Sequence, residues 1–170
     1  LETAGITVKD DERENSIMHN KYLIIDGQTV WTGSTNLTDN GFTKNHNNSI
    51  RFDSPDVVAI YQADFDQMWA GNFSVNKTAS MTTSTTFDGK PLEIYFSPKD
   101  DARDEVIAEV NAAQVSVDLA IFFFTSDDLA NALTGALVQA RGRGVQVRAI
   151  WDLLGAASPF SDDEKLCDAN

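Results

Sequence analysis

The sequence is poor in several things at once. It has a single cysteine, Cys167, only two histidines, His19 and His46, four prolines, and half as many basic as acidic residues. One thiol excludes an intramolecular disulfide framework and is too little for a cysteine-based zinc site. Thirteen Lys plus Arg against 26 Asp plus Glu give a net charge of −13. That balance argues against a generic binder of phosphate backbones, which needs a basic surface, and leaves room only for a local basic pocket. No window approaches the roughly 18 to 20 apolar residues of a membrane span, and the longest dense patch, 119–124, is strand-sized. The expectation is a soluble chain. It begins at Leu1, with no charged segment leading into an apolar one, so a processed or excised piece is expected and localisation stays open, a secreted origin included. What is there is ordinary: 170 residues, 42% hydrophobic and 23% charged. This fits a globular protein with a sizeable core rather than a disordered or fibrous one.

Residues 75–91 are dominated by Thr and Ser and show little apolar periodicity, so they read as a linker between segments 1–74 and 92–170. Before it, strands are expected at 6–9, 17–25, 29–32 and 49–52. A helix follows, with Ser54 as N-cap, Pro55 in its first turn, and Val57, Val58, Tyr61, Phe65, Met68 and Trp69 at helical spacing until Gly71. After it the pattern reads strand 92–96, helix 101–113, strand 115–124, helix 126–141 capped by Ser126, and strand 145–151. Alternating strands and helices predict an α/β fold, with a mixed, largely parallel sheet flanked by helices. The two halves read in inverted order, a hairpin-rich half first and a βαβ half second.

The constellation that carries chemistry surrounds His19. In Met18-His19-Asn20-Lys21-Tyr22, residues two apart share a face of an extended chain, so His19 and Lys21 are expected to project together, as are Ser34 and Asn36 in Gly33-Ser34-Thr35-Asn36. A nucleophile or base, a fixed cation and two neutral hydrogen-bonding groups suit a phosphoryl group: Lys21, Ser34 and Asn36 bind its oxygens, and neutral imidazole attacks phosphorus. Asp26 has the opposite parity and heads Asp26-Gly27, a strong hairpin signal, so its role is expected to be structural.

His19-x-Lys21-x4-Asp26-x6-Gly33-Ser34-x-Asn36 resembles the HKD signature of the phospholipase D superfamily. The stretches Tyr95-Phe96-Ser97-Pro98, Ala120 to Thr125 and Arg143 to Arg148 are similar to the way a repeat of that superfamily begins. The resemblance implies a phospholipase D-like α/β sandwich in which residues 1–74 are the closing half of one repeat and 92–170 the opening half of the next, both able to pack as one domain. It also implies a metal-independent phosphodiesterase without cofactor. Two HKD motifs meet there, one histidine forming a phosphohistidine and the other protonating the leaving alcohol. One motif is in this chain, so the second is expected from a second repeat or a homodimer partner. A phospholipid is the favoured substrate, a nucleic acid the alternative within the same chemistry, and a non-catalytic scaffold the alternative outside it.

The family often carries Asn-x-Glu-Asn after the motif, its Glu orienting the imidazole. Here Asn45-His46-Asn47-Asn48 puts uncharged Asn47 in that imidazole-orienting place. His46 reads as a surface loop residue, Phe122 to Phe124 as core, Gly142 and Gly144 as a helix end, and Asp152 as a weakly marked position at the end of a parallel strand.

Overall fold

The computed structural model describes residues 2–14, 17–80, 83–125, 128–158 and 161, with the side chains of 128–130 also outside the description. The Ser126 cap, the Leu129 side chain and Cys167 therefore lie outside the described residues. The chain divides into two compact units, Leu1–Asp101 and Ala102–Asn170.

The first unit is built on a three-stranded antiparallel sheet of β1 (Tyr22–Ile25), β2 (Thr29–Gly33) and β3 (Ser49–Asp53). Asp26 and Gly27 take φ of 54° and 63°, and Gln28 N–H donates to the Ile25 carbonyl at 3.0 Å. Positive φ at both central residues is what a hairpin turn matching the strand twist requires. It sets Leu23 opposite Trp31 and Ile24 opposite Val30. A short helix, α1 (Asp39–Thr43), capped by Thr38, connects β2 to β3. Next comes α2 (Pro55–Trp69), capped by the Ser54 hydroxyl with Pro55 in its first turn. Its buried residues, Val57, Val58, Ile60 and Tyr61, pack with Tyr22, Ile24, Val30 and Phe52 from one face of the sheet. Val30 and Val57 are fully buried, each stabilising the fold by about 2 kcal/mol relative to exposure. Phe65 and Trp69 fall outside this stripe; they are exposed and stack on each other with ring centroids 5.8 Å apart.

The Thr/Ser-rich run is not structureless. It contains a hairpin, β4 (Ser84–Phe87) and β5 (Lys90–Glu93), turned by Asp88 and Gly89 at φ of 49° and 71°. Phe87 meets Phe52 edge-on at 5.1 Å, and Ile94 and Phe96 join the core of the first unit. The compact unit thus runs ten residues beyond the end of the expected linker. Residues 6–9 and 17–21 have no ladder partner among the described residues, so their alternation does not become strand.

The second unit contains α3 (Ala102–Ala112), β6 (Ser116–Ile121), α4 (Asp128–Gly142), β7 (Gln146–Trp151) and α5 (Leu153–Ala156). β6 and β7 pair in parallel, and Val110, Ala136, Leu137, Ala140 and Val145 form its core. Phe124 is buried against Trp151, whereas Phe122 and Phe123 are half exposed, correcting the expectation of three core phenylalanines. Asp152 caps α5 by accepting from the N–H groups of Leu154 and Gly155.

The fold is mixed α/β. Among the described residues, parallel pairing is confined to β6 and β7, so the expectation of a largely parallel sheet is corrected. The reason is local: Asp26-Gly27 and Asp88-Gly89 close two-strand hairpins, which only antiparallel strands allow, while the α4 crossover joins the one parallel pair.

Candidate active site

His19, Asn20 and Lys21 precede β1, whose first residue, Tyr22, is half-buried in the first core. Lys21 folds its ammonium back to donate to the His19 carbonyl at 2.6 Å, and partial burial holds its pKa below the usual lysine value. Thr32 on β2 donates to the Lys21 carbonyl at 3.2 Å, tying this segment to the sheet.

Lys21 and Asn36 line one cavity of about 280 Å³ together with Thr35, Trp31, Leu37 and Phe42. Trp31, Leu37 and Phe42 are 43%, 66% and 64% exposed, so the polar floor opens between apolar groups that reach solvent. His19 lines an adjoining cavity of about 70 Å³ with Lys77 and Met68, and Asn20 borders both. His19 is exposed. Ser34 is occupied elsewhere: its hydroxyl donates to Asn47 Oδ1 at 2.9 Å and accepts from Asn48 N–H at 3.0 Å. Asn47 in turn donates to the Gly41 carbonyl at 3.0 Å, so the residue expected to orient the imidazole reaches Ser34 instead. Asp26 stays in the β1–β2 turn, and His46 is an exposed loop residue.

Gly33 is required by a close approach. Its φ is 145°, and a Cβ there would stand 2.2 Å from the Asn48 carbonyl oxygen. With no side chain in the way, Ser34 N–H donates to that oxygen at 3.1 Å and the Thr35 hydroxyl at 3.0 Å. These bonds lace the 33–36 loop to the strand entering β3 and fix the backbone that carries Asn36.

Sequence reasoning missed three members of this neighbourhood: buried Thr35, and the pair Asp64 and Lys77, which are 2% and 6% exposed. Asp64 accepts from Asn20 Nδ2 at 3.2 Å and from the Tyr22 hydroxyl at 3.1 Å, and pairs with the Lys77 ammonium. Burial, with the Asp64 charge and hydrogen bond beside it, pushes the Tyr22 phenol far up, so it remains a donor. An acidic residue three positions after Tyr61, inside the apolar stripe of α2, was the available signal. Among the described residues, no group of three or more His, Cys, Asp or Glu is placed to hold a metal ion, and no helix is long and apolar enough to cross a membrane.

A family model described as "Cardiolipin synthase, PLD-like domain" matches residues 1–69, the segment holding the hairpin, the Gly33 loop and α2. Over this segment the chain is therefore similar to the phospholipase D superfamily. Over 69 residues the chain is 36% identical to a protein named mitochondrial cardiolipin hydrolase from Xenopus laevis, covering 41% of this chain and 32% of that one. The protein of the same name from Chlamydomonas reinhardtii is 38% identical over 66 residues, covering 39% of this chain and 29% of its own length. The human one is 30% identical over 69 residues, covering 41% and 27%. The chain thus spans less than a third of the length of these relatives.

Proposed function

We propose that this chain carries one half-site of a phosphodiesterase that cleaves a phospholipid through a phosphohistidine on His19. The observation that carries the reading is the 280 Å³ cavity in which Lys21 and Asn36 share walls with Trp31, Leu37 and Phe42. A cation and an amide suit the phosphoryl oxygens, and exposed apolar groups around them suit a substrate whose phosphate is joined to hydrocarbon. The relatives named cardiolipin hydrolase support the same substrate class.

In this mechanism a neutral imidazole nitrogen of His19 bonds to phosphorus as the P–O bond to the leaving alcohol breaks. The alcohol takes its proton from a second histidine, supplied by another copy of the motif. That histidine then takes a proton from water, the water oxygen bonds to phosphorus, and the P–N bond breaks to release a phosphomonoester and free His19. Lys21 opposes the charge on the phosphoryl oxygens throughout. Ser34, held by Asn47 and Asn48, shapes the phosphate end of the loop. Residues 1–74 act as the closing half of a repeat and 92–170 as the opening half of the next.

The test presents the chain with cardiolipin vesicles, single-stranded DNA and a soluble aryl phosphodiester, each with and without EDTA. The reading expects EDTA-resistant release from vesicles. Trp31→Ala and Phe42→Ala should each cut vesicle turnover by roughly 3- to 10-fold while sparing the soluble diester, since each removes apolar contact worth about 1 kcal/mol or more. Cleavage of DNA alone, or activity lost in EDTA and restored by a divalent ion, contradicts it.

A further inference from the structure

Asn20 and Tyr22 flank Lys21 in the sequence, and both side chains reach Asp64 on α2. One oxygen of Asp64 accepts from both, from Asn20 Nδ2 at 3.2 Å and from the Tyr22 hydroxyl at 3.1 Å. Its other oxygen is engaged by Lys77, whose ammonium lies 5.3 Å from the centroid of the Phe96 ring. Tyr22, Tyr61 and Phe96 close around this pair with edge-to-face contacts at 5.1 to 6.4 Å. A buried ion pair adds little net stability, because desolvation offsets the Coulomb gain, so stability alone does not account for this one. The geometry supplies a role: the carboxylate is fixed by α2 and grips the segment on either side of Lys21.

We infer that Asp64, neutralised by Lys77, is the positioning residue of the site, holding Asn20 and Tyr22 and thereby fixing the backbone of 19–22 that carries His19 and Lys21. This rests on the phosphodiesterase reading for its kinetic consequence, but not for its structural one. Asp64 touches no reacting atom; it acts through the backbone of 19–22. Small displacements of a reacting group are costly, so loosening this grip should fall on turnover rather than on binding.

The chain has only two histidines, so two imidazole Cε1–H resonances report the site directly, His46→Gln assigning them. In Asn20→Ala, which removes one partner at an exposed position, the melting temperature should stay near that of wild type while the His19 resonance shifts and the His46 resonance stays put. Inorganic phosphate titrated into wild type should move the His19 resonance, and Asn20→Ala should weaken that response. On the preferred diester, kcat of Asn20→Ala should fall about 10- to 100-fold, with KM changed much less. Adding Asp64→Asn to Asn20→Ala should cost less than the two losses combined, because both act on one contact. An unchanged His19 resonance and unchanged kcat in Asn20→Ala would overturn the inference. Absence of any wild-type turnover would instead strike the functional reading, and the resonance shift would still decide the role of Asp64.

Discussion

Ser34 donates its hydroxyl to Oδ1 of Asn47 at 2.9 Å, and Asn47 passes the connection on by donating to the Gly41 carbonyl at 3.0 Å. Asn47 is therefore engaged with the loop that carries Ser34 and Asn36. Asn47→Ala should cost about 1 kcal/mol of stability by removing this hydrogen bond and lower turnover by roughly 5-fold through a looser Ser34. Urea unfolding and initial rates check the two effects; a variant with unchanged rate would show that Ser34 needs no holding.

Gly33→Ala should be far more damaging than its size suggests. The added Cβ would stand 2.2 Å from the Asn48 carbonyl oxygen at a φ of 145°, and both partners are backbone. A loss of about 2–4 kcal/mol is expected, together with loss of phosphate binding at the loop. Thermal or urea melts decide it, and a variant as stable as wild type would contradict the close approach.

Lys21 should give the proposed site an alkaline limit. Burial lowers its pKa below 10.5, so the ammonium is lost at a lower pH than in free lysine. Charge stabilisation is present below that depressed value and disappears as pH rises through it. The rate should fall on the alkaline side below the ordinary lysine range, and in Lys21→Arg that limb should move upward, because guanidinium stays protonated. Lys21→Ala should lose about 10²- to 10³-fold in turnover at neutral pH. An alkaline limb unmoved in Lys21→Arg would assign it to another group.

What the sequence made legible, and what it did not, follows from how local each signal is. Ser54, Pro55 and Gly71 bracket α2 because caps and breakers act within one turn, and Asp26-Gly27 marks its hairpin for the same reason. Asp88-Gly89 carries the same mark, yet the surrounding Thr and Ser concealed a second hairpin. The alternation at 6–9 reads as strand, but a strand needs a partner, and partners are long-range. Lys21 and Asn36 share a cavity, whereas the grip of Asp64 on Asn20 spans 44 residues and has no local pattern beyond one charge inside an apolar stripe. The phenylalanines 122–124 illustrate the converse: three apolar residues in a row cannot all face one way from an extended chain, and only Phe124 is buried.

The proposed mechanism requires a second histidine, and the chain has one copy of the motif. Specific activity should therefore rise with chain concentration as copies pair, following the dimer fraction measured by sedimentation. Constant specific activity across a range where the chain sediments as a monomer would remove the need for a second motif.

The most direct test is capture of the covalent intermediate. Wild-type chain, at a concentration where copies pair, is mixed with a diester labelled at phosphorus and quenched within milliseconds in alkaline detergent, in which a bond between phosphorus and imidazole nitrogen survives. Wild type should retain label on His19, located by peptide mapping, and His19→Asn should retain none while keeping its fold. Turnover by wild type without retained label, or equal label in His19→Asn, would contradict His19 as the nucleophile.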